Sequence, residues 1–285
     1  MVNSVKIIEC PRDAMQGIKS HFIPTETKAK YINSLLKVGF DTIDFGSFVS
    51  PKAIPQMKDT AEVLSNLDLS TTKSKLLAIV ANVRGANDAS QFEEIDYLGY
   101  PFSISENFQM RNTHKTIDQS IDTLKEVLAI ANRTNKEVVA YLSMGFGNPY
   151  GDPWSVEIVG EWTEKLSSFG VKILSLSDTI GSSTPEDIDY LFSNLIPSYP
   201  QIEFGAHLHT TPTKWHEKVD SAFKAGCRRF DGAIKGYGGC PMAKDELTGN
   251  MPTEKLLSYF TANKVATNIK PMSFESAYNK ALEVF

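Results

Sequence analysis

Three cysteines among 285 residues, Cys10, Cys227 and Cys240, are too few, too scattered and of the wrong parity to frame a disulfide-held fold. Positive charge is not in excess either. Lys and Arg number 29 against 34 Asp and Glu, a net charge of -5, which gives no reason to expect nucleic acid or a membrane surface as a partner. No apolar run approaches the ~18 residues that suggest a membrane span. The N-terminus shows no signal-like stretch, and with the scattered thiols this sets a cytoplasmic expectation. No Gly/Pro/Ser-rich linker, internal repeat or low-complexity segment divides the chain, so residues 1–285 read as one domain. No Gly-x-Gly-x-x-Gly follows the first strand, which weakens a dinucleotide-binding reading. An anionic substrate must then be held by local cations or a metal.

What is present is an alternation. Apolar residues make up 41% of the chain, ample for a large core. Short β-rich runs are expected at Val5–Glu9, Thr42–Phe45, Leu76–Val80, Tyr97–Ile104, Glu137–Leu142, Val171–Leu174, Glu203–His207 and Arg229–Asp231. They are mostly continuous in apolar character, as suits parallel strands covered on both faces. Between them lie amphipathic stretches. Thr25–Val38 starts after Pro24 and stops at Gly39, and Ile117–Thr134 carries Ile121, Leu124, Val127 and Leu128 on one face. Thr184 caps a helix that opens on Pro185, and Thr213–Ala225 stops at Gly226. Eight strands interleaved with helices predict an α/β protein of the (β/α)8 TIM-barrel type in a single domain. Periodicity alone does not distinguish this from an open doubly wound sheet.

In such a barrel the residues just past each strand converge at the C-terminal mouth. Here those positions hold Arg12 and Asp13, Asp44 and Ser47, Ser105 and Glu106, Asp178 and Thr179, His207 and His209, and the Gly-rich loop 236–250. His207 and His209 alternate on one strand, so both imidazoles face the same side and can approach one ion. With Asp13 as the carboxylate they make a plausible divalent-metal site with open positions. Arg12 then faces an anionic oxygen, while the Gly-rich loop presents Cys240 where a thiol is not placed for core packing. Cys10 and Cys227 read as buried structural thiols, and His21, His114 and His216 as surface or helical residues.

The blocks Glu9-Cys10-Pro11-Arg12-Asp13-Ala14-Met15-Gln16, Ser47-Phe48-Val49-Ser50-Pro51-Lys52, Ser105-Glu106-Asn107-Phe108, Ser177-Asp178-Thr179-Ile180-Gly181, His207-Leu208-His209, Gly238-Gly239-Cys240-Pro241 and Gly249-Asn250-Met251-Pro252 occur in this order. Together they resemble the 3-hydroxy-3-methylglutaryl-CoA lyases of the DRE-TIM metallolyase superfamily. The resemblance implies a metal set of Asp13, His207, His209 and Asn250, holding Mg or Mn. It implies catalytic roles for Arg12, Cys240 and Asp44, and contacts to an acyl-CoA substrate from Arg12, Gln16, Lys19, Ser105, Asp178, Thr179 and Gly239. It also implies a homodimer. Four positions depart from the family pattern: Asp44 stands for Glu, Thr210 for Asp, Ser177 for Gly and Asn148 for Cys.

The implied reaction is a retro-Claisen cleavage to acetyl-CoA and acetoacetate, with Asp13, Asp44 and His207 all candidates for the base. Two other readings compete. One is a related aldolase or a synthase condensing acetyl-CoA with a 2-oxo acid; the other is a catalytically silent barrel kept as a binding protein. Direct assay with each substrate pair separates the first, and metal-free protein that binds no acyl-CoA would favour the second.

Overall fold

The computed structural model describes residues 4–239 and 248–285. The chain opens with β1 (Lys6–Glu9), α1 (Pro11–Gln16), α2 (Thr25–Leu36), β2 (Thr42–Ser47) and α3 (Thr60–Ser65). It continues through β3 (Lys75–Ile79), α4 (Val83–Ala89), β4 (Tyr97–Ser103), α5 (Glu106–Thr113), α6 (Ile117–Arg133) and β5 (Glu137–Ser143). Then come α7 (Val156–Ser168), β6 (Ile173–Asp178), α8 (Pro185–Ser198), β7 (Glu203–Thr210), α9 (Trp215–Lys224) and β8 (Arg229–Gly232). A two-residue β9 (Gly249–Asn250) and helices α10 (Thr253–Ala262) and α11 (Pro271–Ala281) complete it.

Strands β1 to β8 are all parallel, each paired with its sequence neighbour. β8 returns to β1 and β6 pairs with β7, so the sheet closes on itself as a (β/α)8 barrel. The helices start where the sequence supplies a hydroxyl or amide to the free N–H groups of a first turn. Thr116 and Gln119 form a reciprocal capping box on α6, and Asn82, Ser105, Ser155 and Thr184 cap α4, α5, α7 and α8. The main core lies between strands and helices. A smaller cluster of Leu77, Tyr97, Val139, Tyr141 and Ile173 fills the barrel itself. Gly99 makes room for it, since a Cβ there would sit 2.5 Å from Ile79 Cδ1. Below that layer Arg229 is fully buried, and its Nη1 lies 3.3 Å from Glu203 Oε1 while Lys6 bonds Glu203 at 2.7 Å, closing the barrel floor.

Two strands differ from expectation in ways that bear on function. β6 begins two residues late and runs on to Asp178, and β7 runs on to Thr210 rather than stopping at His207. Ser175, Ser177 and Asp178 break the apolar run in the sequence. In the barrel these polar groups are buried; the Ser177 hydroxyl donates to the Ser175 carbonyl of its own strand, and Asp178 accepts from Lys218. Arg12 and Asp13, expected just past the first strand, occupy the first turn of α1.

Candidate active site

Asp13, His207 and His209 meet at the C-terminal mouth of the barrel, each offering a ligand atom within 4.8 Å of the others. The alternation on β7 places the two imidazoles side by side, with ring centroids 5.2 Å apart. β9 pairs antiparallel with β7 so that Asn250 stands opposite His209. The Asn250 amide nitrogen donates to Asp13 Oδ2 at 2.7 Å and to the Tyr237 carbonyl at 2.8 Å.

Each imidazole is held from behind. His207 Nδ1 lies 3.1 Å from Asp231 Oδ2, and His209 Nδ1 donates to the Thr179 carbonyl at 2.9 Å. Both contacts turn Nε2 towards the cluster, the arrangement by which proteins orient imidazole ligands. His209 Nε2 is buried without a hydrogen-bond partner among the described residues. An orphaned ring nitrogen aimed at a carboxylate and a second imidazole fits a divalent metal ion, and nitrogen and oxygen donors together suit one.

The electrostatics agree. Burial works against the Asp13 carboxylate, but Arg12, His207, His209 and the Asn250 amide outweigh it and hold the group below its usual range. For His207 burial favours the neutral ring, yet the Asp231 bond and charge raise its pKa. His209 is lowered by burial and by His207 beside it.

Arg12 is clamped. Its Nε lies 3.1 Å from both Asp44 oxygens and its Nη2 2.5 Å from Asp44 Oδ2, while Nη1 donates to Asp13 Oδ1 at 3.0 Å. This fork-on-fork pairing fixes the guanidinium plane. Burial pushes the Asp44 carboxyl up to about 6 against the pull of Arg12, so it stays a carboxylate at neutral pH. Gln16 Nε2 donates to Asp13 Oδ1 at 2.6 Å.

A cavity of about 410 Å³ opens over the cluster. Of the residues expected at the site, Arg12, Asp13, Gln16, Thr179, His207, His209 and Gly239 line it. Gly238, at φ +84°, lets the Gly-rich stem lie against α1, where a Cβ would come within 2.7 Å of the Asp13 carbonyl.

Other expected residues are not brought there, and each has a reason. Asp44 does not line the cavity, because both its oxygens are taken by Arg12. The Ser105 hydroxyl accepts the Phe108 N–H as a helix cap and donates to Asp152. Asp178 is buried on Lys218, at 2.6 Å, and on Ser183. Lys19 is exposed in the loop after α1 and is not among the lining residues. Cys240 lies outside the described residues.

The sequence reading passed over Asp231, although it ends an expected strand, since its partner His207 is 24 residues away and nothing local marks the pair. It also passed over Tyr141, Ser143 and Lys115, which line the cavity, and His114, set aside as structural, lines it from the left-handed C-cap of α5. Among the departures, Asn148 organises its own turn, accepting from Tyr150 and Asp152 N–H groups, and Ser177 lines the cavity.

Barrel and cluster together define a class: a (β/α)8 enzyme fold whose mouth is built to hold a ligand at a divalent ion beside a fixed guanidinium. Residues 5–280 match the HMGL-like family, and the chain belongs to it. It is 33% identical over 260 residues to the hydroxymethylglutaryl-CoA lyase YngG of Bacillus subtilis, covering 91% of this chain and 86% of that one. The crystal structure of the HMG-CoA lyase of Bacillus subtilis superposes with a TM-score of 0.92 at 32% identity, over 99% of this chain and 95% of that one. An HMG-CoA lyase from Acinetobacter baumannii, solved in complex with coenzyme A and 3-methylmalate, gives 0.90 at 28% identity over 99% and 91%.

Proposed function

We propose that this chain is a carbon–carbon lyase that cleaves 3-hydroxy-3-methylglutaryl-CoA, or a close 3-hydroxyacyl-CoA, to acetyl-CoA and acetoacetate. The observation that carries the reading is the convergence of Asp13, His207 and His209 on one point beside the clamped Arg12. Asn250, opposite His209, completes the ligand set, and Mg or Mn is the ion. Such an ion lowers the pKa of a chelated hydroxyl and fixes its orientation. The ligands named for the Acinetobacter baumannii relative, coenzyme A and a hydroxy diacid, carry the same two chemical parts.

The chain's own residues supply the rest. Asp13 and His207 line the cavity, which supports reading them, of the three candidate bases, as the groups that take the proton of the substrate's tertiary hydroxyl. Loss of that proton lets the C2–C3 bond break, its electron pair passing into the enolate of acetyl-CoA while the oxygen becomes the ketone of acetoacetate. Arg12 donates to the thioester oxygen as charge develops there, and one well-placed donor of this kind is worth ~3 kcal/mol. Asp44 acts through Arg12, holding its fork rather than touching substrate. Cys240 returns a proton to the enolate carbon as general acid. The apolar walls of Ile54, Ile79, Pro101 and Phe108 keep water from the enolate. Gln16, Thr179 and Gly239 line the acyl end, and exposed Lys19 is left as a contact for the coenzyme A portion outside the cavity.

We take residues 1–285 as one cytoplasmic lyase domain acting as a homodimer. No helix among the described residues is long and apolar enough to cross a membrane. The test is direct. Purified protein with Mn²⁺ and 3-hydroxy-3-methylglutaryl-CoA is expected to release acetyl-CoA and acetoacetate in equal amounts, and excess chelator is expected to stop it. Turnover unaffected by chelator, or no product with metal present, rejects the reading.

A further inference from the structure

Glu9 has no part in the chemistry above, yet it is a fully buried carboxylate with no Lys, Arg or His ion-pair partner among the described residues. Such a group is costly to bury, and an apolar side chain of similar size would pack the same space. Its contacts show what it does instead. Cys10, the next residue, turns into the barrel beside His207 and Asp231, so Glu9 points the other way, into the helix layer. There Oε1 accepts the Ile234 N–H at 2.8 Å and Oε2 accepts the Thr253 hydroxyl at 2.6 Å.

Those two partners are the two stems of the Gly-rich segment. Ile234 opens the turn that leads to Tyr237, Gly238 and Gly239, and Thr253 begins α10 three residues after Asn250. The stems are also joined to each other, Ala233 N–H to the Met251 carbonyl at 3.0 Å and Thr253 N–H to the Ala233 carbonyl at 3.1 Å. Glu9 bolts this pair of stems to β1, the strand whose continuation carries Arg12 and Asp13. Asp13 and Asn250 lie 237 residues apart in sequence, and they meet at 2.7 Å between β1's continuation and the second of these stems.

We propose that Glu9 is a positioning residue for the metal site, fixing Asn250 and the Tyr237–Gly239 backbone against Asp13 from behind the barrel wall. The inference rests on the reading of Asp13, His207, His209 and Asn250 as the ligand set. Burial pushes the Glu9 carboxyl up to about 8, although the Thr253 and Ile234 bonds pull it down. A glutamine keeps an oxygen to accept the Ile234 N–H and offers its amide to the Thr253 hydroxyl, which accepts as readily as it donates.

The test is Mn²⁺ alone, titrated into metal-free full-length protein and followed by the electron paramagnetic resonance of the free ion. Glu9→Ala is expected to weaken Mn²⁺ binding about tenfold or more, as loss of an outer partner does, and Glu9→Gln to stay near wild type. Lys28→Met is the control. It deletes a buried ammonium bonded to Asp59 and the Gln56 carbonyl, touches no ligand, and is expected to lower the melting temperature without changing Mn²⁺ affinity. Equal affinity for Glu9→Ala and wild type overturns the inference, and so does equal weakening in Lys28→Met, which would make the effect one of general loosening. Should Glu9→Ala not fold, Thr253→Val deletes one of the two bonds and is expected to weaken Mn²⁺ in the same direction; an unchanged affinity there counts against Glu9. A wild-type chain that binds no Mn²⁺ overturns the ligand-set reading and this inference with it.

Discussion

Arg12 illustrates how one side chain is committed twice. Two carboxylates hold it, Asp44 with both oxygens and Asp13 with one, so its position is settled before any substrate arrives. Arg12→Met is expected to lower kcat by ~10²–10³ while circular dichroism stays unchanged, because Asp44, freed of its partner and already near 6, can take a proton rather than remain a bare buried charge. A near-normal kcat would remove Arg12 from the chemistry. At this scale the sequence was readable where chemistry is local: Arg12 and Asp13 come soon after the first strand, and His-x-His carries its own geometry. It misled where position was right but the lone pairs were already used. Ser105 and Asp178 sit at strand ends like the others, yet Asp152, Phe108, Ser183 and Lys218 consume them. Spacing has no access to such competition. Asn250 came only from family resemblance, since no periodic pattern marks a two-residue strand.

At the level of elements, β1 and β7 do most to build the site. β7 presents its histidines inward over a strand three residues longer than its apolar run suggests, because a barrel mouth can accommodate polar inward residues that an isolated strand pattern would end on. β1 and the residue that follows it work on both faces, Cys10 inside and Glu9 outside. The second face makes a pH prediction. Glu9 sits at about 8 in the folded chain against an ordinary 4.5, so between those values the folded state keeps a proton that the unfolded chain has lost. Its contribution to stability is fully present below 4.5 and fades as pH rises through 8. Melting temperature measured across that window is expected to fall more steeply for wild type than for Glu9→Gln, which cannot ionise. Parallel curves would mean that the carboxyl titrates normally. The limits of the helices read from sequence, by contrast, were legible to within a residue or two, as the one capped by Thr184 shows, because a capping hydroxyl is a local signal.

For the whole molecule, closure was the step the sequence left open. Alternating strands and helices fit a barrel or an open sheet equally, and only the β8–β1 and β6–β7 pairings decide it. The proposed ligand set comes from α1, β7 and β9, at both ends of the chain and across the ring, so an ion bound there is expected to stabilise the fold as a whole. Mn²⁺ at a hundred times its Kd is expected to add about 2.7 kcal/mol, seen as a rise in melting temperature that chelator reverses. An unshifted transition would show that the ion binds folded and unfolded chain alike, or not at all. The contact between residues 13 and 250 has a further consequence, during synthesis. A nascent chain can make Arg12, Asp13 and both histidines and still have no site, because the asparagine that meets Asp13 emerges only after the eighth strand. Truncated products ending before that point would therefore carry most of the barrel and none of its activity.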